Sequence, residues 1–192
     1  MKKAYILMLT FAIIFAMSCK KEKKETEQKV AEVVVKEDIK VESKKLIVDL
    51  TPKSDSNVSG RVVFTEDNGS VTMVALLKGL DVGTHAIHLH EKSDCSSADG
   101  KSSGGHWNPT SQPHGKWGAA EGFHKGDIGN FEANANGNGS ITFTTDQWCI
   151  GCGDKTKDIV GKAIIVHQGT DDFTSQPSGA AGTRVSCGGI IQ

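Results

Sequence analysis

The chain has 192 residues, with 22 Lys and Arg against 23 Asp and Glu and a formal net charge of −1. That balance leaves no basic patch for nucleic acid, so no nucleic-acid partner is expected. All 22 glycines lie at or after Gly60, a compositional break that separates an N-terminal region from a domain of comfortable size for one core.

Residues 1–18 read as a signal peptide: Lys2 and Lys3 supply the charged start, and Ala4 to Met17 is an apolar run of fourteen. Such a run is too short to span a bilayer. It ends in Ala16-Met17-Ser18-Cys19, which resembles a bacterial lipoprotein processing site, so Cys19 is expected to become the lipidated first residue of an exported, membrane-anchored protein facing the periplasm or cell exterior. An ordinary cleaved signal with an incidental Cys19 is the alternative. Lipid chains contribute about 0.8 kcal/mol per buried methylene. Residues 19–45 then form a linker. From Lys20 to Lys45 sixteen of twenty-six residues are charged, too little apolar surface to order a domain.

Residues 46–192 are expected to form the domain. β-patterned runs recur at Lys45–Leu50, Gly60–Glu66, Ser70–Lys78, Thr84–Glu91, Ile128–Ala135, Gly139–Thr145, Val160–Gln168 and Thr183–Ile190. Turn signals such as Asp67-Asn68-Gly69 and Asn136-Gly137-Asn138-Gly139 separate several of them, with no amphipathic run of helical length between. Eight short strands imply an all-β, antiparallel Greek-key sandwich or barrel. The Gly/Ser-rich stretch Ser93 to Asp127 is too long for an ordinary connection and reads as functional.

All seven histidines fall between residues 85 and 167. His88 and His90, two apart on a strand, emerge on one face; His106, His114 and His124 lie in the long Gly/Ser-rich stretch, Asp127 follows three residues later, and His167 ends an apolar run. Copper and zinc favour this mixture of imidazoles with one carboxylate. His85 shares neither parity nor face with His88 and His90 and is assigned to packing or hydrogen bonding. Export places the cysteines in an oxidising compartment, and with Cys19 lipidated, Cys95, Cys149, Cys152 and Cys187 allow three pairings. Cys149-Ile150-Gly151-Cys152 can be a local disulfide, free thiols, or a redox or metal-transfer motif, with the local structural reading favoured.

Five segments, in order, resemble the Cu/Zn superoxide dismutase family: His88-Leu89-His90-Glu91, Gly105-His106-Trp107-Asn108-Pro109, His124-Lys125-Gly126-Asp127-Ile128-Gly129-Asn130, Val166-His167 with Asp171-Asp172, and Gly182-Thr183-Arg184-Val185-Ser186-Cys187-Gly188. The resemblance implies His88, His90, His106 and His167 as copper ligands, and His106, His114, His124 and Asp127 as zinc ligands, with His106 shared. It further implies Asp171 hydrogen-bonded behind the ligands, a Cys95–Cys187 disulfide, Arg184 as the guide for the superoxide anion, and an active-site rim loop at Gln168–Thr183. The implied reaction is dismutation of superoxide to dioxygen and hydrogen peroxide; the alternative is a non-enzymatic metal-binding or metal-transfer lipoprotein. The family contains both monomers and dimers, so a homodimer is a possible state. The rim loop carries no Lys or Arg, a departure from the family's usual steering lysines, and Lys116 and Lys125 are substitute candidates.

Overall fold

The computed structural model describes residues 43–192. The expected signal peptide, Cys19 and the linker as far as residue 42 lie outside the described residues.

Eight strands form the domain: β1 Lys44–Pro52, β2 Ser59–Asp67, β3 Ser70–Lys78, β4 Gly83–His90, β5 Gly129–Ala133, β6 Gly139–Thr145, β7 Ala163–His167 and β8 Arg184–Gly189. Their spatial order is β1-β2-β3-β6-β5-β4-β7-β8, and β1 pairs with β8 to close the barrel. Every ladder is antiparallel. Because β6 sits beside β3, and β7 beside β4, two connections cross over in Greek-key fashion. Closure removes the free edges that an open sheet would expose. Among the described residues the only helical element is a single 3-10 turn at Lys101–Ser103.

Alternation sets the core. On β3 the side chains of Val71, Met73, Ala75 and Leu77 are buried, as are Val62 and Phe64 on β2 and Val48 and Leu50 on β1. These inward residues meet Ile87, Leu89, Ile164, Val166 and Trp148 in one cluster. The β2–β3 hairpin turns on Asn68 and Gly69, at φ 48 and φ 77, the two positive-φ positions that an Asn-Gly pair supplies for a type I′ turn.

Three strands, β4, β7 and β8, depart from alternation, and the first two locate the site. On β4 everything from His85 to His90 is buried, and β7 is buried throughout. Ile87, Leu89, Ile164 and Val166 face the barrel core. The intervening residues point outward and are covered by the long loops.

The first of these loops, between β4 and β5, is held down at several points. Glu91 N–H donates to Gly105 O, Trp107 N–H to Leu89 O, Leu89 N–H to Gly126 O and Gly126 N–H to Trp107 O, so Gly105–Trp107 runs along the end of β4 like a short extra strand. Gly126 is required there, because a Cβ would strike the Leu89 carbonyl and approach Trp107 N to 3.0 Å. Cys95 is bonded to Cys187 of β8, with Cα atoms 5.8 Å apart, and packs with Ala163 and Ile165 in a small second cluster. A link across 92 residues stabilises by roughly 4 kcal/mol in the chain-entropy account. Cys149 and Cys152 form the local disulfide that the spacing favoured; closing a ring of so few residues contributes less by the same logic.

Candidate metal centre

β4 and β7 are neighbours, with Ile87 opposite Val166 and His90 opposite Ala163. His88 and His90 point outward from β4, and His167 ends β7 beside them. His106 is brought alongside by its bridge to His90. One ligand atom from each of these four histidines lies within 4.8 Å of the others, and all four residues are buried. A second group built to the same limit comprises His106, His114, His124 and Asp127. His106 belongs to both.

The ring nitrogens show what each group is for. His88 Nδ1, His90 Nε2, His106 Nε2 and His167 Nε2 are buried without a hydrogen-bond partner. A buried polar atom left unpaired costs about 1–3 kcal/mol, and four converging on one point is an arrangement that a metal cation resolves. The opposite nitrogens are all tied: His88 Nε2 lies 2.9 Å from Asp171 Oδ2, His90 Nδ1 2.9 Å from Gly104 O, and His167 Nδ1 3.3 Å from Gly182 O. These contacts fix which nitrogen of each ring is presented.

In the second group the Nδ1 atoms of His106, His114 and His124 lie 2.9, 3.0 and 3.2 Å from carboxylate oxygens of Asp127. Three imidazoles and one carboxylate make the closed four-ligand set that structural zinc takes. Asp127 is held in place by the backbone N–H groups of His124 and Gly115. The residues therefore fit both ions that the motif chemistry suggested.

Asp171 joins the two groups from behind. Its Oδ2 faces His88 Nε2 and its Oδ1 faces His114 Nε2, each at 2.9 Å. Its backbone is clasped by Asn130, which accepts from Asp171 N–H and donates to Asp171 O. Asp172, by contrast, turns away to bond Thr174 and Ser175. His85 stands apart, its two nitrogens against the carbonyls of His167 and Asp81.

Charge is arranged to suit. Burial, reinforced by neighbouring histidines, pushes His90 and His167 well below the usual imidazole value. Burial likewise lowers His106 to about 4, against the pull of Asp127. Neutral rings are the form that binds metal. Burial works against ionised Asp127 and Asp171, but hydrogen bonds from the histidines outweigh it and hold both carboxyls below the usual range. At His114 burial is outweighed by the two carboxylates, which raise it to about 9.

A cleft of about 660 Å³ opens onto this centre, lined by His90, His106, His167, Arg184, Lys101 and Gln176 among others. Arg184 Nη1 donates to Gly100 O at 2.9 Å and Ser103 Oγ at 3.2 Å, which fixes the guanidinium at the cleft wall. Lys116 and Lys125 are not among its lining residues. Lys125 instead bonds Gln147 and lies over the Phe123 ring. The lysine that lines the cleft is Lys101, whose Nζ pairs with Asp99 Oδ2 at 3.0 Å. Sequence position alone did not single it out, although Asp99-Gly100-Lys101 sits in the loop that the disulfide pins.

The barrel carries two candidate metal sites, and His106 belongs to both. The chain belongs to the copper/zinc superoxide dismutase family, whose conserved pattern matches residues 58–190. It is 33% identical over 140 residues to Cu-Zn superoxide dismutase 2 of Aquifex aeolicus, covering 71% of this chain and 81% of that protein. A SOD-like protein from Bacillus subtilis is 29% identical with a TM-score of 0.67, covering 76% of this chain and 97% of the other. A double mutant of a SOD-like protein from the same organism gives 30% identity, the same TM-score and the same coverage.

Because Asp171 orients one ligand of each group, Asp171→Ala is expected to weaken both metals, by about 10- to 100-fold. Competition against chelators of graded affinity measures this, and a loss confined to one metal would show that the bridge is not shared.

Proposed function

We propose that the protein is a superoxide dismutase that converts two superoxide anions and two protons into dioxygen and hydrogen peroxide. The observation that carries this reading is His106, with Nε2 among the copper-group nitrogens and Nδ1 on the zinc-group carboxylate. Copper held by His88, His90, His106 and His167 would supply one-electron redox chemistry, and zinc on the second group would be structural.

The chain's own part is to bind, orient and protonate. Arg184 presents its remaining N–H donors to an anion in the cleft, and because Gly100 and Ser103 hold it, little reorganisation is needed when the anion arrives. The fixed backs of His88, His90 and His167 keep the donor nitrogens aimed through the cycle. His106 Nε2 is a proton carrier, taking up a proton from solvent in one half-reaction and giving it to the peroxide in the other, while solvent supplies the second proton. With Nδ1 turned to the zinc group, the proton exchanges at Nε2 alone.

His106→Ala is expected to retain copper on the remaining three histidines while losing most superoxide consumption. Metal analysis of wild type and variant beside a superoxide-consumption assay tests the whole reading. One copper and one zinc per chain with rapid turnover supports it; tight metal binding without turnover in the wild type would leave a metal-binding protein instead.

Lys101 replaces Lys116 and Lys125 as the proposed steering cation, since it alone of the three reaches the cleft. Lys101→Glu should lower the rate constant at low salt and flatten its ionic-strength dependence. A salt profile matching that of the wild type would remove the role.

Export and anchoring through a lipid on Cys19 belong to the same proposal, supported by the charged start, the short apolar run and Ala16-Met17-Ser18 before Cys19. Cells grown with labelled fatty acid should label the protein, and Cys19→Ser should abolish the label and release the domain from membranes. Equal labelling of the variant would end that reading.

A further inference from the structure

We infer that Gln176 is a positioning residue that ties the wall of the substrate cleft to His114 of the zinc group. The inference rests on the two-metal reading and adds a residue through which the rim loop acts on it.

His114 lies in a stretch, 111–115, with no regular secondary structure, so no ladder of backbone hydrogen bonds places it. The Gln176 side chain takes that role. Its Oε1 accepts from His114 N–H and its Nε2 donates to His114 O, both at 2.9 Å. One primary amide thus occupies both backbone polar groups of a ligand 62 positions away, as the facing residue of a paired strand would. The contact is directional at both ends, and it sets the height of the His114 ring above Asp127.

The segment carrying Gln176 is itself held in shape. Asp172 accepts from the backbone N–H of Thr174 and of Ser175, at 2.9 and 2.8 Å. Just beyond, Gly179 sits at φ 70 directly over the His114–Asp171 contact; a Cβ there would come within 2.7 Å of His114 Nε2 and collide with the Asp171 carboxylate. Asp171, Gln176 and Gly179 therefore grip one histidine from three sides. Gln176 and the next two residues, Pro177 and Ser178, also line the cleft. Any movement of His114 is passed to the surface that receives the substrate, and a loosened rim loop is passed back to the zinc group.

The test compares full-length, metal-loaded protein with Gln176→Ala, Gln176→Glu and Gln112→Ala. Gln112 is a control because it lines the same cleft, but its side-chain amide reaches only Thr110 O, at 3.3 Å. Zinc transfer to a chromogenic chelator should be about 10- to 100-fold faster in Gln176→Ala, the range typical when a group orienting a metal-binding histidine is removed. Gln176→Glu keeps the acceptor for His114 N–H and loses the donor, so its release should be intermediate; Gln112→Ala should match wild type. With cobalt in the zinc position, the visible band should change in Gln176→Ala and not in Gln112→Ala. Wild-type zinc release and an unchanged cobalt band in Gln176→Ala would overturn the inference, and should that variant not fold, wild-type release from Gln176→Glu would do the same. Failure of the wild type to hold zinc at all would instead strike the two-metal reading beneath it.

Discussion

Four converging imidazole nitrogens, His88 Nδ1, His90 Nε2, His106 Nε2 and His167 Nε2, buried and without hydrogen-bond partners, are the constraint on which the rest of the structure depends. Desolvating each without a partner costs about 1–3 kcal/mol, so gathering them is a large liability for a domain whose whole stability is of order 5–15 kcal/mol. A cation that all the lone pairs can share turns the liability into binding energy, and because such groups do not form in an unfolded chain, that binding energy is also folding energy. The protein's remaining investment is in the opposite side of each ring. Gly104, Gly182 and Asp171 hold the backs of His90, His167 and His88, so the orphaned nitrogens are presented by design.

Rigidity is divided between barrel and loops. β4 and β7 supply three ligands from neighbouring strands whose inward residues belong to the main core, and their positions are set by the fold itself. The other four candidate ligands lie on the connection between β4 and β5, where only His106, bridged to His90, is tied to the sheet. There the work is done by the backbone bonds around Gly126, by the Cys95–Cys187 link and by Asp171 and Gln176 reaching over from the rim loop. Such loops are the low-stability end of a protein. Metal and side-chain contacts compensate for the missing ladder.

Much of this was legible in the chain. All eight expected runs became strands, two of them with the same ends and the others differing by at most three residues at an end, because the apolar patterning is strong and turns such as Asn68-Gly69 punctuate it. Six histidines and Asp127 stood out as metal donors because His88 and His90 share a face, His167 closes an apolar run and Asp127 follows His124 by three; their division into a copper and a zinc group sharing His106 came from the family resemblance. The proposed steering cation could not be read. Lys101, Lys116 and Lys125 look alike in the sequence as lysines of one long loop, and only the folded path of that loop decides which one lines the cleft. Gln176 was equally silent, since a glutamine bonded to backbone 62 positions away leaves no periodicity.

Electrostatics ties the site to its proposed anionic substrate. Residues 46–192 carry eleven Lys and Arg against sixteen Asp and Glu, a formal charge of −5, which at long range repels an anion. Inside the centre the balance reverses. Two divalent ions there would bring four positive charges, and an imidazolate at His106 with the carboxylates of Asp127 and Asp171 would remove three, so Arg184 would add to a surplus that is already positive. Screening at physiological salt limits either field to about 8 Å. Within that distance of the cleft the anion meets Arg184 and Lys101 before the ligands; beyond it the acidic surface is largely screened. On the proposed reading, attraction of the anion is a property of the cleft, set by where the start of β8 places Arg184 and the β4–β5 loop places Lys101.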